Sequence, residues 1–302
     1  MNAPVIFPTL GIGAGSLANA GGETAFIETV RAAWAAGIRY FDTSAFYLGG
    51  ESERRLGDAL KGFSRNELRV TTKLGRYQNH TGSSIDPQNK NSFFDYSADT
   101  TRRSVERSLA RLGVERLDAV FIHDLDHRIC GADYDDLVKA ARTGAYPELR
   151  RLKDEGVVGA IGVAAMDWRA CLELAESVEL DVVMPAGEYS LLRVASQPLL
   201  SFCQANDIAW IAASPFNSGI LATGARENAF YDMRPATPPV LRQVEALEEI
   251  CRKHDVPLAA AALQFPARHP AVSSVVFGAK SVEEFDETLS LASAKLPVSL
   301  CS

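Results

Sequence analysis

An α/β fold, a single (β/α)8 barrel with long loops over its carboxyl-terminal face, is what this sequence predicts over residues 1–302, and three observations carry the expectation. Eight short runs rich in Val and Ile recur along the chain, apolar on both sides, as strands of a parallel sheet covered on both faces must be. Segments with apolar residues at helical spacing separate them. The glycine run that would open a doubly wound dinucleotide-binding sheet, Gly11-Ile12-Gly13-Ala14-Gly15, continues with Ser16, and the next helical pattern starts only near Gly22. A dinucleotide-binding turn sets the helix N-terminus straight after its glycines. These glycines therefore read as a tight strand-end loop.

The elements follow in order. LGIGAGS (10–16) is the first strand. ETAFIETVRAAWAAG (23–37) is a helix that stops at Gly37, a residue free to take the left-handed backbone of a helix end. GIRYFD (37–42) and ELRVTTK (67–73) are strands two and three. SADTTRRSVERSLARLG (97–113) is a helix closing on Gly113, and LDAVFIH (117–123) is the fourth strand. VVGAIGV (157–163), LDVVMPA (180–186) and IAWIAA (208–213) are the next three. PPVLRQVEALEEICRKH (238–254) opens with prolines and ends on positive charge, which suits a helix and its dipole. SSVVFG (273–278) is the eighth strand. Two stretches, 74–96 and 214–237, are too long for plain connections, and such loops are commonly functional. Both follow strands, so both lie over the carboxyl-terminal face and shape a pocket there. Tyr77, Phe94, Tyr96 and Trp168 are either walls of that pocket or loop packing.

Composition excludes several function classes. A hydrophobic content of 47% fills a large core, and 23% charged residues without a polar tract leave no sign of disorder. A net charge of −7 argues against nucleic acid or an acidic membrane surface as partner, leaving a small-molecule substrate. There is no run of 18 apolar residues to span a bilayer, and MNAPVIFPTLGIG lacks the pattern of a secretory signal. Cys130, Cys171, Cys203, Cys251 and Cys301 are scattered without a CxxC, as suits reduced thiols in a cytoplasm. His123 and His127 lie outside any HExxH pattern, so no metal site is expected.

The chemistry concentrates at strand ends, where barrel enzymes keep it. Asp42 and Tyr47 in YFDTSAFYLGGESERRLG, Lys73 in VTTKLGR and His123 in VFIHDLD sit at or just past the ends of strands two, three and four. A free phenol has a pKa near 10, and a neighbouring ammonium favours its phenolate. Lys73 is placed to do this, with Asp42 holding the ammonium. Tyr47 then gives or takes a proton at a carbonyl or hydroxyl oxygen, and His123 hydrogen-bonds the same oxygen. Singly, each residue has an ordinary alternative: a turn cap, a rim aromatic, a solvated strand end, a core histidine. Jointly they describe a proton-transfer site suited to hydride exchange with a nicotinamide.

FDTSAFY with SERRLG, the lysine of TTKLGR and the histidine of IHD resemble the signatures of the aldo-keto reductase superfamily, and the likeness runs from LGIGAG to FGAKSVEE. The resemblance implies that Asp42, Tyr47, Lys73 and His123 are the catalytic tetrad. FFDYSADTTRRSVERSLARLG, AYPELRRLKDEGVVGAIGV, AGEYSLL and SPFNSGILATG are similar to the branch of D-threo-aldose (L-fucose), L-galactose and pyridoxal dehydrogenases. That branch implies oxidation of a cyclic hemiacetal, such as L-fucose, D-arabinose, L-galactose or pyridoxal, to a lactone. An NADPH-dependent aldehyde or ketone reductase and a non-catalytic cofactor-binding subunit are the other readings, and the intact tetrad argues against the latter.

The resemblance also places a cofactor, NAD or NADP. Ser214, Phe216 and Ser218 fall in the loop after the seventh strand, and Gly278, Lys280 and Ser281 open a helix after the eighth, where a helix N-terminus offers N–H groups to phosphate. Glu283 and Glu284 stand where an arginine would favour a 2′-phosphate, so NAD is the expected preference, although Lys280 pulls the other way. Ala164, Ala165 and Ala186 replace polar residues that hold the carboxamide in many members, and Ala213 replaces an aromatic that stacks on the nicotinamide.

Overall fold

Eight parallel strands close on themselves. The structure, a computed structural model, describes residues 5–19, 22–78 and 92–297, so Cys301 lies outside the described residues. The barrel strands are β1 (Leu10–Gly13), β2 (Tyr40–Asp42), β3 (Arg69–Leu74), β4 (Leu117–His123), β5 (Val158–Ala165), β6 (Val182–Pro185), β7 (Ala209–Ala213) and β8 (Val272–Phe277). Each pairs in parallel with its sequence neighbours, and β1 pairs with both β2 and β8 to complete the ring. Helices alternate with them, among them Gly22–Ala35, Glu51–Leu60, Ala98–Leu112, Trp168–Ser177 and Pro238–Lys253.

The helix ends follow their sequences. Gly37 takes φ 94° and its N–H donates to the Trp34 carbonyl, closing the first long helix. Ser97 caps Ala98–Leu112 through its hydroxyl, and Gly113 ends it at φ 65°. The apolar faces of the helices form one large cluster with the outward side chains of the strands, including Phe26, Leu56, Val105, Leu149, Trp210 and Phe285.

Alternation sends a second set of side chains into the barrel. Phe7, Tyr40, Ala119, Phe121, Ala160, Val182, Met184 and Ile211 fill the interior. Two glycines make room for the largest rings: a Cβ on Gly11 would meet the Tyr40 ring at 2.5 Å, and one on Gly162 would meet Phe121 at 2.6 Å. The first glycine run thus serves barrel packing. It does not end in a plain loop, however. A short helix, Ala14–Asn19, follows β1 at once, ahead of the long helix expected near Gly22.

The two long stretches are built differently. Arg76–Gln78 pairs antiparallel with Ser92–Phe94 as a ribbon beside the barrel mouth. The second stretch carries the short helix Ile220–Thr223 and a hairpin of Phe230–Tyr231 with Arg234–Pro235. Among the described residues no helix is long and apolar enough to cross a membrane, and no cluster of His, Cys, Asp or Glu could hold a metal ion. Cys130, Cys171, Cys203 and Cys251 are free and buried.

Candidate active site

Strand register gathers the four residues. Asp42 stands opposite Thr71, Lys73 opposite Phe121, and His123 opposite Ala164, all at the carboxyl ends. Asp42 lies two residues beyond Tyr40, and His123 two beyond Phe121, so the two-residue period points both inward. Tyr47 opens a sharp turn beyond β2 in which the next two residues, Leu48 (φ 53°) and Gly49 (φ 62°), are left-handed. A non-glycine residue there is strained, and such strain is concentrated at functional sites.

The Lys73 ammonium contacts the Asp42 carboxylate and donates to the Thr43 carbonyl at 2.8 Å, while the Thr71 hydroxyl donates to the other Asp42 oxygen at 2.7 Å. Lys73 and Asp42 are 3% and 4% exposed. Lys73 Nζ lies 5.1 Å from the centroid of the Tyr47 ring, and the His123 ring stands edge-on to that ring at 5.9 Å. Burial acts against the charged form of Lys73, but the charges of Asp42 and Tyr47 outweigh it and raise the ammonium pKa. Burial also pushes the Asp42 carboxyl upward, opposed by Lys73 and Thr71.

For Tyr47 the net direction differs from the sequence argument. Burial raises the phenol above its ordinary value; Lys73 lowers it as expected, and Asp42 and Asp124 add to the rise. Desolvation therefore wins in this state of the site. His123 goes the other way: burial, with Lys73 and Arg76 assisting against Asp124, pushes it down to about 3, so the imidazole is neutral near pH 7. The Ser44 hydroxyl accepts from the Phe46 N–H at 3.1 Å and lies 3.0 Å from His123 Nδ1. His123 Nε2 lies 3.5 Å from a carboxylate oxygen of Asp124, which only accepts, so the proton is assigned to Nε2 and the Ser44 hydroxyl donates to Nδ1. The Tyr96 hydroxyl fixes the backbone by donating to the His123 carbonyl at 2.6 Å.

All four residues line one cavity at this end of the barrel. Arg76 and Asp124 line it too, as an ion pair at 2.8 Å, with the guanidinium 4.2 Å above the Phe46 ring. Tyr77, Phe94, Tyr96 and Trp168 are not among the lining residues and serve as packing. The remaining wall carries mostly methyl groups and thioethers, from Ala164, Ala165, Met166, Met184, Ala186 and Ala213.

The expected cofactor positions divide. Ser214, Ser218 and Gly278 line the cavity. Phe216, Lys280, Ser281 and Glu284 do not. Phe216 packs against the apolar clusters instead. Ser281 caps the helix Val282–Ala292, accepting from the Glu284 N–H at 3.3 Å, and the Glu284 carboxylate accepts from the Lys280 N–H at 2.5 Å. This is a variant of the reciprocal capping box, so Glu284 is held at the helix start with its charge fixed there.

Asn217, like Arg76 and Asp124, is a cavity residue that was not foreseen. Asn217 is 2% exposed, its amide nitrogen donates to the Gly187 carbonyl at 3.0 Å, and its carbonyl oxygen is buried with no partner. An orphaned buried acceptor costs about 1–3 kcal/mol. It sits beside the alanine wall and fits a bound group that brings an N–H donor, as a nicotinamide carboxamide does. Ser214, Asn217 and Ser218 all hold positive φ (57°, 46° and 62°), a strained loop over the cavity.

Comparisons with known proteins agree with this geometry. The aldo/keto reductase family matches residues 9–299. D-threo-aldose 1-dehydrogenase of a Pseudomonas species is 34% identical over 99% of this chain and 93% of its own length. Pyridoxal 4-dehydrogenase of Microbacterium luteolum is 33% identical over 86% of this chain and 81% of its own. Among solved structures, an aldo-keto reductase from Bacillus halodurans in its holo form shares the fold with a TM-score of 0.73 at 22% identity, covering 99% of this chain and 94% of its own.

Proposed function

We propose, from the premise that this chain belongs to the aldo/keto reductase family and is a nicotinamide-dependent oxidoreductase, that it oxidises a cyclic hemiacetal to a lactone with NAD. The observation that carries the reading is the buried Asp42–Lys73 pair set beneath Tyr47, with neutral His123 across the cavity. The substrate is an aldose of the L-fucose, D-arabinose or L-galactose type, or pyridoxal; the relatives include D-threo-aldose 1-dehydrogenase at 34% identity, pyridoxal 4-dehydrogenase at 33%, L-galactose dehydrogenase of Arabidopsis thaliana at 28% and D-arabinose 1-dehydrogenase of Saccharomyces cerevisiae at 27%.

Each residue then has one task. His123 Nε2–H and the Tyr47 oxygen hold the anomeric hydroxyl. In oxidation Tyr47 acts as its phenolate, stabilised by the Lys73 ammonium; as the C1–H bond breaks, the phenolate takes the hydroxyl proton and becomes the neutral phenol. Asp42 keeps the ammonium in place and charged. A bound nicotinamide supplies the acceptor for the hydride. With the dinucleotide bound, Asn217 would accept from the nicotinamide carboxamide, and Ser214, Ser218 and Gly278 would hold the phosphates. Phe216 supports that loop from behind, while Lys280 and Ser281 shape the helix start that would hold the adenosine end.

NAD is preferred because the Glu284 carboxylate is fixed at that helix start, where it repels a 2′-phosphate and suits a free ribose hydroxyl. The test is initial-rate oxidation of L-fucose, D-arabinose, L-galactose and pyridoxal with NAD and with NADP. Turnover of at least one of them, faster with NAD, is expected; reduction of simple aldehydes with NADPH and no oxidation of the panel would refute the reading.

A further inference from the structure

We propose that Asp124 reads the hydroxyl on the carbon next to the reacting one, making this a dehydrogenase for substrates that carry two neighbouring oxygens. The inference rests on the hemiacetal reading for its substrate but on a separate set of contacts. Asp124 follows His123 directly and is held at φ 54°, a left-handed conformation unusual for a residue other than glycine. Its N–H donates to the Ala164 carbonyl at 2.8 Å, which ties the turn to β5. The chain is thereby bent so that the carboxylate borders the cavity rather than solvent outside the barrel.

The two carboxylate oxygens are not equivalent. Oδ2 accepts from Arg76 at 2.8 Å and lies 3.5 Å from His123 Nε2. Arg76 is 1% exposed and stacked over Phe46, so it cannot follow a departing partner and fixes the carboxylate in orientation. No described residue donates to Oδ1, and Oδ1 is not among the sealed, partnerless atoms of the interior. A carboxylate has about four acceptor positions and, when ionised, no donor. Oδ1 therefore has room for a hydroxyl that arrives with the substrate.

The spacing selects which hydroxyl. The reacting oxygen sits one hydrogen bond from His123 Nε2, and Asp124 is anchored 3.5 Å from that nitrogen. Oxygens on adjacent carbons are separated by about one hydrogen-bond length, so the neighbouring oxygen falls on Asp124. An aldose meets this requirement with its 2-hydroxyl; pyridoxal, whose ring hydroxyl sits one carbon further from the reacting carbon, does not. An aldehyde with an apolar neighbour would strip water from the carboxylate and give nothing back.

The experiment compares substrate pairs that differ by that hydroxyl. Wild-type enzyme with NAD should show kcat/KM for L-fucose at least ~10-fold above 2-deoxy-L-fucose, the range for a hydrogen bond to a charged acceptor. Asp124→Ala should bring the pair to near equality, with Asp124→Asn between them. A parallel pair, lactaldehyde against propanal reduced with NADH, probes the same contact with no hemiacetal present. Selection for lactaldehyde without oxidation of any sugar would overturn the hemiacetal reading and leave the Asp124 assignment standing. Equal use of both members in each pair by the wild-type enzyme would overturn the Asp124 assignment, whatever the variants do.

Discussion

Replacing Lys73 by methionine removes one buried charge and keeps most of the side-chain volume. The ammonium lies 5.1 Å from the Tyr47 ring centroid. At an effective dielectric of about 20, a unit charge at that distance contributes roughly 3 kcal/mol to a phenolate, a little over two pKa units. Burial already raises the Tyr47 phenol, so losing Lys73 removes the main force holding it down. The limb along which oxidation accelerates with rising pH should move up by about two units, and turnover near neutrality should fall by about 100-fold. Asp42 would be left buried without its cation, a loss of about 3–5 kcal/mol in stability. Lys73→Met with Asp42→Asn should recover that stability and none of the activity. NADH formation followed against pH, with denaturant melts of the three variants, reads both effects. An unchanged pH profile at unchanged rate would refute the reasoning and reduce Lys73 to a structural strand-end residue.

Further outcomes follow from the same geometry. Tyr47→Phe should lower turnover by at least ~100-fold while NADH titration shows cofactor affinity nearly unchanged. His123 is pushed down to about 3 in the folded chain, against about 6.5 when unfolded, so the unfolded state binds the extra proton in between. Its contribution to stability is complete above about pH 6.5 and is lost as pH falls toward the folded value; His123→Gln should flatten that part of the stability profile in urea melts. Wild-type kcat/KM should favour NAD over NADP by about tenfold, roughly 1.4 kcal/mol, and Glu284→Arg should narrow or invert the ratio; a wild type that uses NADP as well would mean Lys280 governs the pocket. Asn217→Ala should weaken binding of NAD more than that of its acetylpyridine analogue, which lacks the carboxamide N–H, and equal weakening of both would remove Asn217 from the carboxamide contact.

What the sequence disclosed was local. Strand β4 runs over Leu117–His123, buried along its whole length as a run apolar on both sides required, and the other barrel strands lie within their apolar runs or shift by a residue or two. Asp42, Lys73 and His123 were legible because strand period and strand end together decide that such residues face inward at one rim. The short helix Ala14–Asn19 was missed because AGSLAN has small residues and no capping signature, and packing against the barrel decides its form. Ser44, Asp124 and Asn217 were missed for another reason. Their partners are remote in sequence, 79 residues away for Ser44 with His123 and 48 for Arg76 with Asp124. Only the closed barrel brings them together. The direction of the Tyr47 pKa failed likewise, since desolvation depends on the loops that cover the ring.

The most direct test of hemiacetal oxidation is the identity of the first product. L-Fucose, or pyridoxal, is incubated with the enzyme and NAD, and samples taken at the earliest times are quenched into hydroxylamine, which converts a lactone to its hydroxamate but leaves a carboxylic acid untouched; hydroxylamine is kept out of the reaction itself because it would consume the aldehyde as an oxime. The account predicts hydroxamate formed in equal amount to NADH from the first turnovers, and neither from Tyr47→Phe. NADH formed with free acid and no trapped lactone at the earliest times would contradict it.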